Sequence, residues 1–287
     1  MSTSNTPADS GSWTAGRYEA IDLPAYLART GYAGPLRPTP DVLAALVERH
    51  MAAIPFEALD VMLGRGIDLS PASIDRKLLG GQRGGYCFEH ASLLRRALVA
   101  IGFPVERLLA RVRVREPQDG SAPPATHASL KVEADGRFWL ADVGFGGFIP
   151  NMPLAWEMGT AQKTRFGVFR LRETADGWQV ETQDGDDWMP LYEILGFHWQ
   201  NVDFDVANHY VAHHPSSHFR STLIAARTEV ETRYTLAANK LTVHRSNGTR
   251  ETRVLDADGI EDALGSVFGL PVEPEWRPLV ERAARPD

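Results

Sequence analysis

The chain has 287 residues, 43% of them hydrophobic, which allows a sizeable core and predicts roughly two domains, with one or three also compatible. Its formal net charge of −7 argues against non-specific nucleic-acid binding, which depends on a basic surface. The single cysteine, Cys87, excludes an intramolecular disulfide and therefore the disulfide scaffold of a small secreted protein.

The N-terminal segment is polar and contains no basic region followed by an apolar stretch. We therefore predict that residues 1–15 form a disordered tail and not a signal peptide. No apolar run approaches the roughly 20 residues that are needed to cross a bilayer. Together with the unpaired cysteine, these features predict a cytoplasmic protein with no membrane or nucleic-acid partner.

Helix-start signals occur twice early in the chain. Asp22 and Thr39 are predicted N-caps because each is followed by a proline in the first helical turn. A third helix is predicted for about Cys87–Ile101, where apolar residues recur three and four positions apart and a glycine follows. Residues 16–104 are therefore predicted to form a helical domain.

After residue 104 the sequence alternates apolar and polar residues, which is typical of half-buried strands. These strands define a central β domain over residues 105–205. The predicted strands are Val105–Val114, His127–Glu133, Arg137–Val143, Phe166–Leu171, Trp178–Thr182 and Trp188–Ile194.

The last part of the chain, residues 206–287, is predicted to form a smaller α/β region. Strand-like segments lie between Ser221 and Leu255, with a hairpin turn at Asn247-Gly248. A short helix is predicted over Asp258–Phe268. The predicted fold class is therefore α+β.

The segment Arg83-Gly-Gly-Tyr-Cys-Phe-Glu-His90 carries the most chemical information. Its two glycines permit a tight or left-handed turn immediately before the third helix. This turn would place Cys87 at the helix N-terminus, where free N–H groups and the helix dipole favour a thiolate, and Arg83 would add positive potential. The alternative is a buried structural cysteine.

A histidine and an aspartate are predicted to meet in the central domain. Asp135-Gly136 predicts a hairpin in which Ser129 lies opposite Asp142. His127, two positions from Ser129, then shares the face of Asp142, and such diagonal neighbours lie about 7–8 Å apart, within reach of a hydrogen bond. A slip of one residue in register would place the two side chains on opposite faces.

These residue types indicate thiol acyl-transfer chemistry. Asp142 would orient the His127 ring and stabilise its protonated form, and His127 would take the proton from Cys87. The alternative is an ordinary exposed histidine and aspartate in a hairpin, so the pattern alone leaves both interpretations open.

With these residues in place, the chain resembles the arylamine N-acetyltransferase family. One departure is Ala91, where the family often has asparagine. The resemblance covers about residues 20–270. It is carried by Ile54-Pro-Phe-Glu-Ala-Leu-Asp60, Arg83-Gly-Gly-Tyr-Cys-Phe-Glu89, Thr126-His127 with Leu130 following, Asp142-Val-Gly-Phe-Gly146 and a weaker match from Asn201 through Asn208 to His214-Pro-Ser-Ser-His-Phe219.

The resemblance implies a fold and a reaction. The fold would comprise an N-terminal helical bundle, a central β-barrel-like domain and a C-terminal α/β lid. Cys87, His127 and Asp142 would form a catalytic triad, while Glu57 and Arg83 would form a charge-paired scaffold beneath it. Acetyl-CoA would be the acyl donor, with no metal. In a ping-pong sequence, coenzyme A would leave before an arylamine, arylhydrazine or N-hydroxyarylamine takes the acyl group.

Candidate substrate-binding residues lie beside the triad. The loop Gly144-Phe-Gly-Gly147 can approach a ligand closely, and Phe145 can form an aromatic wall, although it could equally be plain core. Gly146 and Thr126 complete the predicted substrate-binding set.

Other functions stay open on the sequence alone. A papain-like or transglutaminase-like enzyme uses the same Cys–His–Asp order, and peptide cleavage would distinguish it. An amide synthase of natural-product assembly would differ in its acceptor, which the genomic neighbourhood would indicate. A non-enzymatic binding module would not explain the triad. The sequence is compatible with a monomer and with a homodimer.

A metal centre is a further alternative, because four histidines lie close together in sequence. A spacing of four would put two imidazoles on one helical face, but Pro215 is expected to break any helix there. No carboxylate or cysteine joins the set, so we predict that the chain binds no metal. The four residues are His209, His213, His214 and His218.

Overall fold

The computed structural model describes residues 20–114 and 120–285, and the tail predicted for residues 1–15 lies outside them. No helix in these two stretches is both long and apolar enough to cross a membrane. A π-helical turn, Asp75–Gly80, continues the fourth helix. The α-helices are α1 (Leu23–Thr30), α2 (Pro40–Ala53), α3 (Leu59–Met62), α4 (Pro71–Ile74), α5 (Cys87–Ile101), α6 (Asn201–His213), α7 (Ala257–Ser266) and α8 (Arg277–Ala283).

The helices predicted from start signals are confirmed. α1 begins where the Asp22 carboxylate accepts a hydrogen bond from the Ala25 amide at 3.0 Å. The prediction that Thr39 caps α2 is wrong for its side chain, which makes no capping bond; Pro40, with its fixed φ, occupies the first helical position. α5 spans the predicted range and ends at Gly102, whose φ of 106° is left-handed.

Each of the predicted strands is present, with its ends shifted by a few residues. The strand predicted to end at Val143 ends at Ala141, so Asp142 lies just beyond the sheet. The strands are β1 (Phe56–Glu57), β2 (Val105–Val112), β3 (Ala125–Ala134), β4 (Arg137–Ala141), β5 (Leu154–Ala155), β6 (Gln162–Thr164), β7 (Gly167–Glu173), β8 (Gly177–Asp184), β9 (Asp187–Leu195), β10 (Ile224–Thr228), β11 (Thr232–Ala237), β12 (Lys240–Arg245) and β13 (Arg250–Val254).

An antiparallel sheet of eight strands, in the order β5-β4-β3-β2-β9-β8-β7-β6, forms the central domain. Its two edges are joined by a side chain, because the Gln162 carboxamide bonds the amide and the carbonyl of Ala155 at 2.7 and 2.9 Å. The sheet is therefore nearly closed, as the predicted barrel-like domain requires.

The two faces of β3 pack against different parts of the molecule. Ala128, Leu130 and Val132 belong to the core that contains the N-terminal helices. The alternate residues face the inside of the barrel, where the His127 ring contacts Tyr192 of β9. β3 therefore brings a histidine from the barrel interior to the junction with α5.

A second sheet has the order β1-β10-β11-β12-β13. β1 comes from the N-terminal part of the chain and pairs with β10 through Phe56 and Ala226. A separate core, which includes Leu236, Leu264 and Trp276, packs this sheet against the C-terminal helices. The C-terminal sheet thus begins with residues that lie only about thirty positions before the cysteine in sequence.

The division into residues 16–104, 105–205 and 206–287 stays a prediction, but its second boundary falls inside α6. The Gln200 amide donates to the Asp203 carboxylate at 2.7 Å, which satisfies a free donor at the helix start. We therefore propose that this boundary lies before Asn201.

Candidate active site

Cys87 is the first residue of α5 and is only 4% exposed. The sequence predicted a tight or left-handed turn at the two glycines before it, and the left-handed form is not adopted, since neither glycine has a positive φ. They are needed for close packing instead. A Cβ at Gly84 would overlap the Pro55 carbonyl oxygen, and one at Gly85 would lie 2.8 Å from the Glu89 carboxylate.

Hydrogen bonds fix the turn before Cys87 on both sides. Gly85 accepts from the Glu57 amide at 2.8 Å and donates to the Pro55 carbonyl at 3.3 Å. The Tyr86 amide donates to the Glu89 carboxylate at 3.0 Å, which satisfies a free donor at the start of α5. The sulfur is therefore presented by a turn that has little freedom to move.

The sequence suggested that Arg83 adds positive potential at the thiol. In the structure, neighbouring carboxylates balance its charge. Its guanidinium lies 2.8 Å from Glu57, 3.2 Å from Asp60 and 3.1 Å from Glu273. The ring of Trp276 packs on its face at 4.8 Å. These contacts form the charge-paired scaffold predicted for Glu57 and Arg83, and they extend it to the C-terminal region.

The histidine and the aspartate meet through the predicted hairpin. β3 and β4 pair in the expected register, which runs from Ala134 opposite Arg137 to Leu130 opposite Ala141. The result is a hydrogen bond of 2.7 Å between His127 Nε2 and Asp142 Oδ2, with both side chains buried.

The second carboxylate oxygen of Asp142 accepts a hydrogen bond from the Gly144 amide at 2.9 Å. Gly144 also packs directly on the cysteine, since a Cβ there would lie 2.7 Å from the Cys87 Cα. The first glycine of the predicted ligand loop therefore approaches the predicted nucleophile. No side chain larger than hydrogen fits at this position without moving α5.

His127 also interacts with the Cys87 side chain, and this interaction helps to raise the pKa of His127. Asp142 holds Nε2 of the ring, which leaves Nδ1 for the sulfur. The Cys87 sulfur lies 3.6 Å from the Thr126 carbonyl oxygen, to which the thiol donates. The predicted nucleophile, base and orienting carboxylate are thus brought together, with a hydrogen bond between the last two.

The environment of His127 stabilises its protonated form. Burial by itself lowers the pKa, but the negative charge of Asp142, its hydrogen bond to the ring and the interaction with Cys87 outweigh this and raise the pKa of His127 to about 10. At neutral pH the ring is therefore a buried imidazolium, which places a positive charge beside the sulfur.

Two aromatic rings enclose the imidazole. The ring centroids of Phe145 and Tyr192 lie 4.9 and 4.7 Å from that of His127. Burial and the nearby Asp142 charge hold the pKa of Tyr192 well above its usual value, and its hydroxyl faces Asp142 without meeting hydrogen-bond geometry. Sequence reasoning missed Tyr192, because the strand pattern gives its face but not which strand lies beside it.

The three predicted substrate-binding residues all lie near the triad. Phe145 is half-buried against His127, and Gly146 has a φ of 81°. Thr126 contributes its carbonyl, while its hydroxyl donates to the Pro124 carbonyl at 3.3 Å. Contact with a substrate stays a prediction for all three.

A second aromatic group adjoins the nucleophile turn. Phe219 lies 6.0 Å from Phe56 and 6.2 Å from Tyr86 between ring centroids. Tyr86 in turn donates to the Asn208 side chain of α6. Phe219 and Asn208 had a sequence signal only as parts of the weaker family match, and the structure brings both to the residue before Cys87.

The histidine-rich segment is more helical than predicted. α6 continues to His213 and ends before Pro215, because a proline excludes helix only at its own position and just before it. His209 and His213 therefore do share a helical face, with ring centroids 4.4 Å apart. Across residues 20–114 and 120–285, no group of three or more histidine, cysteine, aspartate or glutamate side chains is arranged to hold a metal ion.

Comparisons with known proteins agree on one group of relatives. The sequence model of the N-acetyltransferase family matches residues 39–277. The chain is 41% identical over 256 residues to the arylamine N-acetyltransferase of Mycobacterium tuberculosis, which covers 88% of this chain and 90% of that protein. It is 38% identical over 244 residues to the arylamine N-acetyltransferase / N-hydroxyarylamine O-acetyltransferase of Salmonella typhimurium, with 82% and 84% covered.

The fold has equally similar solved structures. The arylamine N-acetyltransferase of Mycobacterium marinum in complex with CoA superposes with a TM-score of 0.86 at 39% identity, covering 92% of this chain and 98% of that chain. The enzyme from Salmonella typhimurium superposes with a TM-score of 0.85 at 35% identity, covering 92% and 98%.

Proposed function

The chain belongs to the arylamine N-acetyltransferase family, and from this premise we propose that Cys87, His127 and Asp142 are its catalytic triad. The enzyme transfers an acetyl or other short acyl group from acetyl-CoA to an arylamine, arylhydrazine or N-hydroxyarylamine. The observation that carries the proposal is the buried hydrogen bond between His127 and Asp142, together with the interaction of His127 with Cys87 at the start of α5. The CoA complex of the Mycobacterium marinum relative and the name of the Salmonella typhimurium relative support the donor and acceptor classes.

In the first half-reaction the Cys87 sulfur attacks the thioester carbonyl carbon, and the bond from that carbon to the CoA sulfur breaks. The N-terminus of α5 and the positive charge on His127 both stabilise negative charge that develops on the Cys87 sulfur. His127 donates its proton to the departing CoA thiolate. The products are acetyl-Cys87, free CoA and a neutral His127.

In the second half-reaction the same histidine acts as a base. Acylation removes the Cys87 contribution to the raised pKa of His127, because a thioester sulfur carries no charge. The pKa of His127 therefore falls, so the ring that the first half-reaction left neutral stays unprotonated. It can then take a proton from the attacking amine. The nitrogen bonds to the acetyl carbon, the bond from that carbon to Cys87 breaks, and the thiolate and imidazolium are restored.

The acceptor side of the site suits an aromatic amine. Phe145 holds its ring edge-on to His127, where a second ring can pack against it. An aromatic amine is also unprotonated at neutral pH and therefore nucleophilic. We assign Phe145, Gly146 and Thr126 to substrate binding on this basis.

All three triad residues come from one chain, so the proposal holds for a monomer and for a homodimer. Cys87 is a free thiol. A catalytic thiol of this kind is kept reduced in the cytosol, and we place the enzyme in the cytoplasm.

Initial-rate kinetics test the proposal. Acetyl-CoA and 4-aminobenzoate varied against each other should give parallel double-reciprocal lines, because CoA leaves before the amine reacts. Cys87→Ser keeps the shape of the side chain and should abolish transfer. Intersecting lines, or a Cys87→Ser variant with the wild-type rate, would contradict the proposal.

A further inference from the structure

Arg233 of β11 is a buried cation that the proposed mechanism does not use. It is 4% exposed, and it donates to the Gly147 carbonyl at 2.9 Å and to the Ile149 carbonyl. The Phe166 ring covers the guanidinium at 4.5 Å. Its Nε has no hydrogen-bond partner, and no carboxylate pairs with it among the residues that the structure describes.

This arrangement is costly. Burial lowers the pKa of Arg233 to about 10, and no neighbouring anion offsets the loss of hydration. An apolar residue at this position of the sheet would avoid that cost. The two carbonyl contacts are what the guanidinium makes and an apolar residue could not. Both carbonyls lie on the loop that follows Asp142.

This loop, residues 142–153, connects β4 to β5 and touches the site at its near end. Gly144 packs on Cys87, and Phe145 packs on His127. The loop is rich in glycine, and glycine has little conformational preference of its own. Contacts from outside the loop therefore contribute to the position of Phe145.

β11 supplies these contacts from two side chains on one face. Arg233 binds the carbonyls of Gly147 and Ile149, while Thr235 packs against Gly147. A Cβ at Gly147 would lie 2.9 Å from the Thr235 Cγ2, so the loop rests directly on this strand. We call Arg233 and Thr235 together the loop seat.

We propose that Arg233 is a positioning residue, which holds the 142–153 loop so that Phe145 faces His127 and thereby sets how the acyl-enzyme discriminates between acceptor amines. The inference rests on the proposed function of the triad. It assigns a role to the second sheet, which begins with β1.

The neighbouring strand contains a matched control. Arg227 of β10 also donates to two carbonyls, those of Ala52 at 2.7 Å and Val267 at 3.1 Å. These carbonyls belong to α2 and to the segment after α7, and not to the loop. Arg227→Lys therefore weakens the same kind of contact in the same sheet without touching the loop seat.

The experiment measures the two half-reactions separately in Arg233→Lys, Arg227→Lys and wild type. Rapid-quench mass spectrometry follows the formation of acetyl-Cys87 from acetyl-CoA, and then its loss to hydrazine or to 4-aminobenzoate. Arg233→Lys should change the ratio of the two loss rates by about tenfold, since small displacements of a positioning group cost this much or more. The formation rate should stay within about twofold, because Cys87 and His127 keep their own contacts. Arg227→Lys should leave the ratio unchanged.

A second set of variants keeps the inference testable if Arg233→Lys does not fold. Gly147→Ala pushes the loop off its seat through the Thr235 methyl, and should also shift the ratio. Thr235→Ala removes that methyl, so the double variant should return the ratio toward the wild-type value. A lack of rescue would mean that the seat does not set the loop position.

Different results would contradict the inference about Arg233 and the proposed function of the triad. If acetyl-Cys87 forms normally while Arg233→Lys or Gly147→Ala keeps the wild-type ratio, the inference about Arg233 is wrong and the triad stands. If wild-type enzyme forms no acetyl-Cys87, the proposed function is wrong and this inference falls with it.

Discussion

Two buried pairs that each contain a histidine adjoin the nucleophile helix, and the histidine is charged in one pair and neutral in the other. His127 is paired with Asp142, and its pKa is raised to about 10. His90, one turn along α5 from Cys87, is paired with His50 at 2.8 Å, and burial lowers its pKa to about 4. Burial opposes the charged ring in both cases, so the partner decides the outcome: a carboxylate keeps the proton on, and a second imidazole does not.

The neutral pair has one consistent arrangement of protons. The Pro55 carbonyl can only accept, so His90 Nε2 donates to it at 3.2 Å. His90 Nδ1 must then accept from His50 Nε2, and His50 Nδ1 from the Tyr26 hydroxyl at 3.2 Å. This chain of hydrogen bonds ends on the same Pro55 carbonyl that accepts from Gly85, so the neutral pair supports the turn before Cys87, whereas we propose a catalytic role for the charged pair.

Asp142→Asn should have the largest effect on activity, because it leaves His127 as a buried histidine with no carboxylate partner. The rate of acetyl-Cys87 formation should fall by roughly 10⁴, as expected when a base loses the group that orients it. Rapid-quench mass spectrometry measures this rate. Asp187→Asn, at an exposed position on β9, is the matched control and should change nothing. A rate in Asp142→Asn within about tenfold of wild type would contradict the account.

A fall in pH should act on the neutral pair first. The pKa of His90 is about 4 in the folded protein against 6.5 for an unperturbed histidine, so the unfolded chain takes up a proton that the folded chain excludes. The free energy of unfolding should therefore drop as the pH falls from about 6.5 through 4, by on the order of 3 kcal/mol. His127 has the opposite sign, and its stabilising contribution is complete below about 6.5 and lost as the pH rises through 10.

Urea denaturation at a series of pH values checks both signs. His90→Gln cannot take up the proton and should show a shallower loss of stability on the acid side only. An equally steep acid loss in this variant would mean that other groups cause it.

Tyr26→Phe tests the structural role of the neutral pair and should have the smallest effect of these substitutions. It removes the donor to His50 and leaves a buried acceptor unpaired, which should cost about 1–2 kcal/mol of stability in urea denaturation. Activity per folded molecule should be unchanged, since the neutral pair is structural. Tyr32→Phe is the control, because the Tyr32 hydroxyl bonds the Pro35 carbonyl in an exposed loop. A loss of activity in Tyr26→Phe without a loss of stability would contradict the structural role.

Local signals in the sequence predicted much of this fold. Asp22 capped its helix, Gly102 ended α5, and the Asp135-Gly136 turn set the register that brings His127 to Asp142. These predictions succeeded because each depends on residues that are close in sequence, where turn and cap preferences act directly.

Contacts between distant segments could not be predicted in this way. The pairing of Phe56 with Ala226 joins two-residue β1 to a strand far along the chain, and so short a strand has no periodicity. The carbonyl contacts of Arg233 have no signal in sequence at all. The glycines at positions 84 and 144 stood out in the sequence, but the groups that pack against them did not: the Pro55 carbonyl at Gly84 and the Cys87 backbone at Gly144.

The most direct test of the central claim is intact-protein mass spectrometry after brief mixing with acetyl-CoA, with and without 4-aminobenzoate. The charged His127 beside Cys87 predicts one added acetyl group, located on Cys87, that disappears when the amine is supplied. No adduct from acetyl-CoA or any other thioester, or an adduct on another residue, would contradict the claim that this buried pair activates the cysteine.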